Sequence, residues 1–296
     1  MIYTLTFNPA IDYYITIDKL INGAVNRTKT EKISFGGKGI NVSIVLNELG
    51  IKSVALGFIG GFTGDALQEY LKQKGVCCDF LKVAGNTRIN VKINDTDINA
   101  AGPNITDKEL NLLYNKLDII TKGDFLVLSG SVPKCLPKNT YQIILEKLKD
   151  KGANFIVDAE KELLLDTLVY KPFLIKPNHD ELGAMFNMPI NDFKTALFCA
   201  KKLQQKGAQN VMVSMGEKGA VLLDKDGKTH IQAAPYGTVV SAVGAGDSAV
   251  AAFLAQYLKG GDYRDCLKTA IAAGSATAFS DGLATKEKIE EIKYKI

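Results

Sequence analysis

Residues 243–248 read Val-Gly-Ala-Gly-Asp-Ser, and an apolar run from Ala249 to Leu258 follows them. The run predicts a helix whose first N–H groups have no intrahelical partner, and the glycines let a charged group approach that backbone closely. Such a helix N-terminus favours an anion. A carboxylate there, Asp247, could accept a proton from an attacking hydroxyl while the amides of Gly244, Ala245 and Gly246 hold a migrating phosphoryl group.

Two other interpretations of this string remain open at this point. Gly244 and Gly246 could form a tight turn in which Asp247 only caps the helix. The string also matches a Gly-x-Gly-x-x-Ala dinucleotide fingerprint through Gly244, Gly246 and Ala249, which would indicate an oxidoreductase. A fingerprint should follow the first strand of a βαβ unit, whereas this string lies late in the chain.

Composition places the chain among ordinary globular proteins. Its 296 residues are 46% hydrophobic and 23% charged, which is enough to bury a large core. The formal net charge of +4 is too small to indicate nucleic-acid binding. The N-terminal residues lack the pattern of a signal peptide, and no apolar stretch reaches membrane-spanning length. We therefore expect a cytoplasmic protein with neither a nucleic-acid nor a membrane partner.

Cysteine and histidine usage argues against several kinds of catalytic site. The five cysteines form no Cys-x-x-Cys pair, and His179 and His230 are the only histidines. Zinc sites and Cys/His or Ser/His/Asp catalysis therefore have few candidate residues. Buried, reduced thiols are expected.

The pattern of hydrophobic residues predicts an α/β fold. Strand-like runs alternate with amphipathic helical runs, which is typical of a parallel sheet covered by helices on both faces; the runs are 124–129, 141–151, 154–158, 173–176, 194–206 and 211–214. Two regions, about 11–35 and 87–101, instead alternate polar and apolar residues and predict a small β-sheet lid. Without a linker or repeat, 1–296 is interpreted as a single domain with this inserted flap.

A second glycine cluster lies early in the chain. Residues 35–41 read Phe-Gly-Gly-Lys-Gly-Ile-Asn and precede the helical run Val42–Leu49. The cluster places Lys38 and Asn41 on a backbone that a polar ligand can approach, but it is not a Walker A loop, because Lys38 is followed by Gly. Gly227-Lys228-Thr229 looks like the end of a P-loop, yet Asp226-Gly227 between two apolar runs predicts a hairpin turn.

The two clusters together resemble the paired signatures of the ribokinase-like PfkB family of carbohydrate kinases. Residues 36–41 resemble its early Gly-Gly-Lys-Gly-x-Asn motif, and residues 244–247 resemble its late Gly-Ala-Gly-Asp motif. Between them, Asn178 and Glu181 resemble the Asn-x-x-Glu motif, and residues 214–219 resemble the nucleotide-binding loop. The resemblance covers essentially the whole chain and implies a ribokinase-like fold, ATP and Mg²⁺ as cofactors, and a sugar as substrate.

The resemblance also implies roles for individual residues. Asp247 would be the general base, and Asp12 and Asn41 would bind sugar hydroxyls, with Gly37 and Gly130 in the same substrate site. Arg27, Lys38 and Arg88 would hold a phosphate already present on the substrate, since fixed cations suit a dianion.

On the nucleotide side the resemblance implies a second set of residues. Glu181 would hold Mg²⁺ through water, since Mg²⁺ keeps much of its hydration shell. Gly274 and Ser275 would flank the adenine, although close helix packing explains these small residues equally well. The other nucleotide-binding candidates are Lys176, Asn178, Ser214, Gly216, Glu217, Gly219 and Gly246. Asp158 has no assigned role.

Within the family, several strings resemble the 1-phosphofructokinase branch, with tagatose-6-phosphate kinase as the alternative; these are residues 8–12, 25–27, 39–43, 61–64, 87–92 and 129–133. We expect transfer to C6 of fructose 1-phosphate, and a sugar phosphate as the small-molecule partner. A catalytically silent sugar-phosphate-binding regulator remains a lower-ranked alternative, and retention of Asp247 argues against it. The half-exposed lid sheet suggests a homodimer.

Overall fold

The computed structural model describes residues 1–94 and 96–296 of the chain. The strands of the described residues are β1 (Ile2–Thr6), β2 (Ala10–Thr16), β3 (Thr30–Gly36), β4 (Val54–Ile59), β5 (Cys77–Cys78), β6 (Leu81–Lys82), β7 (Arg88–Ile93), β8 (Thr96–Ile98), β9 (Phe125–Ser129), β10 (Asn154–Asp158), β11 (Leu174–Ile175), β12 (Asn210–Ser214), β13 (Ala220–Leu223) and β14 (Thr229–Gln232). The helices are α1 (Lys38–Glu48), α2 (Gly61–Gln73), α3 (Asp107–Lys116), α4 (Thr140–Leu148), α5 (Lys161–Leu165), α6 (His179–Phe186), α7 (Phe193–Gln205), α8 (Ala245–Leu258), α9 (Tyr263–Ala278) and α10 (Lys286–Lys295).

The larger sheet is mostly parallel. Its strand order is β14-β13-β12-β11-β10-β9-β1-β4-β5, with β6 also paired to β4. Only β13 and β14 run antiparallel to their neighbours, and they form the hairpin predicted around Asp226-Gly227. Strand β1 lies in the interior with β4 on one side and β9 on the other, so the chain order reverses here. Ligands of open parallel sheets bind beyond the carboxyl ends of the strands at such a switch point.

Side-chain alternation along the buried strands builds two apolar layers. Along β9, Leu126 and Leu128 pack in a cluster with residues of α3, α4 and α7, whereas Phe125 and Val127 pack in a cluster with α1, α8, α9 and α10. Successive residues of a strand point to opposite faces, so a strand buried on both sides is apolar at every position. The predicted α/β fold, a parallel sheet with helices on both faces, is confirmed.

A second sheet has four strands in the order β3-β2-β7-β8. These strands come from the two regions in which the sequence predicted a lid, although residues 17–29 between β2 and β3 form no strand. Paired residues share a face, and the register places Asp12 beside Asn90 and Ala10 beside Arg88. Asp12, Arg88 and Asn90 therefore lie on one face of this sheet.

A single residue, Gly37, separates β3 from α1. Its φ is +139°, a conformation that other residues rarely adopt, and a Cβ atom there would lie 2.8 Å from Cγ2 of Thr6. The small sheet thus passes directly into the helix that carries Lys38 and Asn41, at the carboxyl end of β1.

The cysteines only partly follow the expectation of burial. Cys199 and Cys266 are buried, whereas Cys77 and Cys135 are exposed and Cys78 is partly buried. All five are free thiols. None of the helices in the described ranges combines the length and the apolarity needed to span a membrane.

Candidate active site

Asp247 lies in the first turn of α8 and is almost fully buried, with 5% of its surface exposed. Nδ2 of Asn41 donates a hydrogen bond of 2.7 Å to its Oδ2. Burial and the nearby carboxylate of Asp158 raise the pKa of Asp247 to about 6, against the opposing effects of Asn41, Lys38 and Lys176. A carboxylate with this pKa can accept a proton near neutral pH.

The backbone around Asp247 has the features of an anion site. Gly244 is the N-cap of α8, with a φ of +79°, and it supplies no side-chain cap. The N–H of Ala245 donates to the carbonyl of Ala242 at 3.2 Å, so this amide, predicted to hold an anion, already has a weak partner. A Cβ atom at Gly246 would lie 3.1 Å from Nζ of Lys176. A cation therefore faces the helix start, which reinforces the positive end of the helix dipole.

Asp158 lies close to two cations, Lys38 and Lys176, near the start of α8. This region, at the carboxyl ends of the strands of the large sheet, is called the cleft below. Asp158 ends β10 with 1% of its surface exposed, and neither carboxylate oxygen has a hydrogen-bond partner among the described residues. Nζ of Lys176 lies 3.3 Å from its Oδ1, and Nζ of Lys38 lies 3.7 Å from the same atom. Burial acts to lower the pKa of Lys38, but Asp158 and other nearby carboxylates outweigh it and hold this pKa above its ordinary value. Two ammonium groups, of Lys38 and Lys176, and two carboxylates, of Asp158 and Asp247, thus lie close together near the starts of α1 and α8.

Sequence reasoning left the role of Asp158 open, although a usable signal was present. Residues 154–158 end a buried strand with an acidic residue, and the carboxyl ends of parallel strands meet at one edge of the sheet. This pattern does not predict that Lys38 lies next to Asp158, because β10 and α1 are more than a hundred residues apart in the sequence.

Two of the candidate substrate-binding residues, Asp12 and Arg88, lie with Asn90 on one face of the small sheet. Nδ2 of Asn90 donates to Oδ1 of Asp12 at 2.8 Å. Nη1 of Arg88 donates a long bond of 3.4 Å to the carbonyl of Ala100, and its buried Nε has no partner among the described residues. Burial lowers the pKa of Arg88, and the charge of Asp12 opposes that shift. A guanidinium with free donors beside a carboxylate suits a polar, phosphorylated ligand.

Three glycines lie beside the first turn of α1, and two of them, Gly36 and Gly37, allow a close approach. A Cβ atom at Gly36 would come within 3.2 Å of Oδ1 of Asn41. At Gly130 a Cβ atom would make only an ordinary contact with Cβ of Lys38 at 3.7 Å, and glycine is favoured there by its φ of +97°. With Gly37, these positions hold the first turn of α1 against the ends of β1 and β9. The substrate-site candidates Gly37, Lys38, Asn41 and Gly130 are therefore brought together.

The structure does not bring Arg27 to this group. Arg27 is exposed and lies in the loop 17–29, beyond the end of the small sheet where Thr16 pairs with Thr30. Arg88 pairs with Ala10 at the opposite end. The seven residues of β2 span about 20 Å. Within one chain, the geometry gives no support to a phosphate contact by Arg27.

The nucleotide-side candidates adjoin the other end of the cleft. Asn178 and Glu181 form a reciprocal capping box at the start of α6, with bonds of 2.8 and 2.9 Å. Asn178 also forms a parallel bridge with Ser214, which places the loop 214–219 beside Lys176. In that loop a Cβ atom at Gly219 would lie 2.1 Å from the carbonyl of Gln232, so only glycine fits, while Gly216 and Glu217 are exposed.

Gly274 lies where α9 crosses the start of α8. A Cβ atom there would lie 3.1 Å from the carbonyl oxygen of Ala245, so close helix packing explains this glycine. Ser275 follows it and is partly buried. An adenine contact by either residue remains a prediction.

Comparison with known proteins agrees with this geometry. The family model described as pfkB family carbohydrate kinase matches residues 5–289. The 1-phosphofructokinase of Bacillus subtilis is 40% identical, over 99% of this chain and 97% of the relative. The D-tagatose-1-phosphate kinase of Bacillus licheniformis is 39% identical, over 100% of this chain and 98% of the relative.

A solved structure shares the fold over nearly the full length. Phosphofructokinase-2 from Escherichia coli, in complex with fructose-6-phosphate, superimposes with a TM-score of 0.91 at 26% identity and covers 99% of this chain and 98% of its own. The family model and the relatives span essentially the whole chain, as do the motifs that meet around Asp247. The chain belongs to the pfkB family of carbohydrate kinases.

Proposed function

We propose that this chain transfers the γ-phosphoryl group of ATP to the C6 hydroxyl of a ketohexose 1-phosphate, with D-fructose 1-phosphate as the preferred substrate. The observation that carries the proposal is Asp247, buried at an uncapped helix start, bonded to Asn41 and faced by Lys176. The name of the B. subtilis relative, 1-phosphofructokinase, supports this choice of substrate.

Asp247 and the start of α8 divide the chemistry between them. Asp247 would accept the proton of the C6 hydroxyl as its oxygen attacks the phosphorus, and Asn41 holds the carboxylate in place through Oδ2. The amides at Gly244, Ala245 and Gly246 would stabilise charge on the transferred group. A general base next to an anion-binding helix start would have no function in a sugar-phosphate-binding protein without catalytic activity.

The two ends of the cleft would hold the two substrates. Asp12 and Asn41 would orient the sugar hydroxyls, and Arg88 would contact the phosphate on C1. Lys176 would contact the ATP phosphates together with the loop 214–219. Lys38 lies nearer to Asp158 and Lys176 than the sequence suggested, and we propose that it stabilises the phosphoryl group in transit.

The residues at the nucleotide end fit a magnesium ion. Oδ1 of Asp158 faces Lys176 and Lys38, while its Oδ2 is buried without a hydrogen-bond partner among the described residues. Glu181 uses Oε2 in the capping box, and its Oε1 has no hydrogen bond to the described residues. Carboxylate oxygens are hard ligands that suit Mg²⁺, which keeps several waters and binds few protein groups. Asp158 and Glu181 would hold the ion, which would neutralise charge on the phosphates of ATP.

A panel of four sugar phosphates tests the substrate: fructose 1-phosphate, fructose 6-phosphate, tagatose 1-phosphate and tagatose 6-phosphate. We expect the highest kcat/KM for ADP release with fructose 1-phosphate. Tagatose 6-phosphate carries its phosphate on the acceptor carbon of the proposed reaction and would have to bind end for end. The unpaired polar groups that result should lower kcat/KM by roughly five- to a hundredfold.

Tagatose 1-phosphate is the closest competitor in this panel, because the relative from B. licheniformis is named for it. It differs from fructose 1-phosphate only in configuration at C4, so we expect a smaller loss than with either 6-phosphate. An equal or higher kcat/KM with tagatose 1-phosphate would contradict the assignment of fructose 1-phosphate as the preferred substrate. Absence of ADP release with all four sugars would contradict the proposed function.

We also propose a homodimer that forms through the small sheet. Ile33, Ile89 and Ile98 lie on the face opposite Asp12 and Asn90, and Ile33 has 57% of its surface exposed. A neighbouring apolar set of this kind is typical of an interface. A structural neighbour, E. coli phosphofructokinase-2, has been solved in a tetrameric inhibited form.

Ile33→Glu should convert the proposed dimer into a monomer in sedimentation velocity, because a charge would be buried in the interface. Ile231→Glu is the matched control, since Ile231 is similarly exposed but lies on β14 of the large sheet. A wild-type protein that sediments as a monomer at micromolar concentration would contradict the proposal.

A further inference from the structure

Asn90 is a buried amide whose two ends have different partners. Its Oδ1 accepts a hydrogen bond of 3.1 Å from the N–H of Ala100, and its Nδ2 donates one of 2.8 Å to Oδ1 of Asp12. Only 5% of its surface is exposed. Because a backbone N–H can only donate, the bond with Ala100 fixes which end of the amide is oxygen. The N–H end must then face the carboxylate.

The same short segment also contacts Arg88. Ala100 gives its N–H to Asn90, and its carbonyl accepts the long bond from Nη1 of Arg88. The next carbonyl, that of Ala101, accepts from Nδ2 of Asn8 at 3.0 Å. Asn90 therefore links Asp12 to a backbone segment that also touches the proposed phosphate-binding arginine.

We propose that Asn90 is a positioning residue for substrate recognition, which holds the carboxylate of Asp12 in the rotamer that accepts a sugar hydroxyl. This inference rests on the proposed sugar-binding role of Asp12. One carboxylate oxygen is committed to Asn90, and the other is left for the ligand. A buried donor to a carboxylate is worth more than a neutral hydrogen bond, so the orientation is strongly preferred.

Asn90→Asp separates this role from support of the backbone. The new carboxylate keeps an acceptor for the N–H of Ala100, but it removes the donor to Asp12 and places a second negative charge beside that carboxylate. We expect the KM for the sugar phosphate to rise roughly ten- to a hundredfold, as for a lost bond to a charged group, while the KM for ATP stays within about twofold. Steady-state kinetics with each substrate varied in turn measure both constants.

Asn94→Asp is the matched control. Asn94 bridges the backbone of Ile17 in the same way, accepting from its N–H at 3.2 Å and donating to its carbonyl at 3.1 Å. It lies at the far end of the same sheet and does not touch Asp12. An unchanged sugar KM in this variant would show that losing an amide donor at the small sheet is not sufficient by itself to weaken binding of the sugar phosphate.

A double-mutant cycle with Asp12→Asn supplies a readout that general destabilisation would not produce. With Asn at position 12, an amide can donate to Asp at position 90, so the added penalty of Asn90→Asp should disappear. Additive penalties, or an unchanged sugar KM in Asn90→Asp, would overturn the inference. Failure of the wild-type protein to bind any sugar phosphate in calorimetry would instead overturn the proposed function.

Discussion

Replacing Asp247 with Asn is expected to lower kcat by about a hundred- to ten thousandfold, the usual contribution of a positioned general base. The amide fills the same volume and can still bond with Asn41 after rotation, so the fold and ATP binding should change little. The loss falls on turnover because only the carboxylate can accept the proton of the hydroxyl. Single-turnover kinetics with a saturating sugar phosphate measure it directly.

The pH profile provides a second readout for the same residue. Burial and Asp158 raise the pKa of Asp247 to about 6, so kcat/KM of the wild-type protein should fall as the pH drops through that value and the base becomes protonated. Asp247→Asn should lack this acid limb. Asp226→Asn, at an exposed hairpin position, serves as the control. An Asp247→Asn variant with more than a tenth of the wild-type kcat would exclude the assigned role.

Arg88→Ala is expected to raise the KM for the sugar phosphate about ten- to a hundredfold and to leave the KM for ATP nearly unchanged. The guanidinium is partly buried beside Asp12, and its Nε has no partner among the described residues, so a bound phosphate would gain charge-assisted bonds that the variant loses. Such bonds contribute about 1.5 to 3 kcal/mol. Arg264→Ala, an exposed arginine on α9, is the matched control.

Lys38→Ala should behave differently from Arg88→Ala, although the sequence grouped the two cations. Nζ of Lys38 lies 3.7 Å from Asp158, beside Lys176 and the start of α8. We therefore expect kcat to fall more than the sugar KM rises. A large rise in sugar KM with unchanged kcat in Lys38→Ala would indicate that Lys38 binds the phosphate already present on the substrate. A rise in ATP KM alone in Arg88→Ala would indicate that Arg88 lies at the ATP end of the cleft and that the two ends were assigned the wrong way round.

Much of the fold could be predicted from local patterns. Strand β9 is apolar from Phe125 to Leu128 and α7 carries apolar residues at helical spacing, so both could be placed within about two residues. The two glycine clusters could be placed at helix starts because each precedes an apolar run. Gly37 and Gly244 indeed directly precede α1 and α8.

Contacts between distant segments could not be predicted in the same way. The bond between Asn90 and Asp12 depends on a parallel pairing of β2 with β7, which residue periodicity does not specify. The position of Lys38 beside Asp158 depends on the strand order of the large sheet. Arg27 was grouped with other cations by motif alone, whereas it lies in the loop beyond the end of β2 that is far from Arg88.

The junction at Gly37 limits how the small sheet could be exchanged or redesigned. Because no linker separates β3 from α1, any shift or rotation of the sheet is passed on to Asn41 and, through its bond, to Asp247. A sheet transplanted from a relative with another sugar preference would therefore change the alignment of the base as well as the shape of the cleft. Insertions should be tolerated in the loop 17–29 but not at Gly37, so new specificities are more accessible through side-chain changes on the existing sheet than through recombination of whole segments.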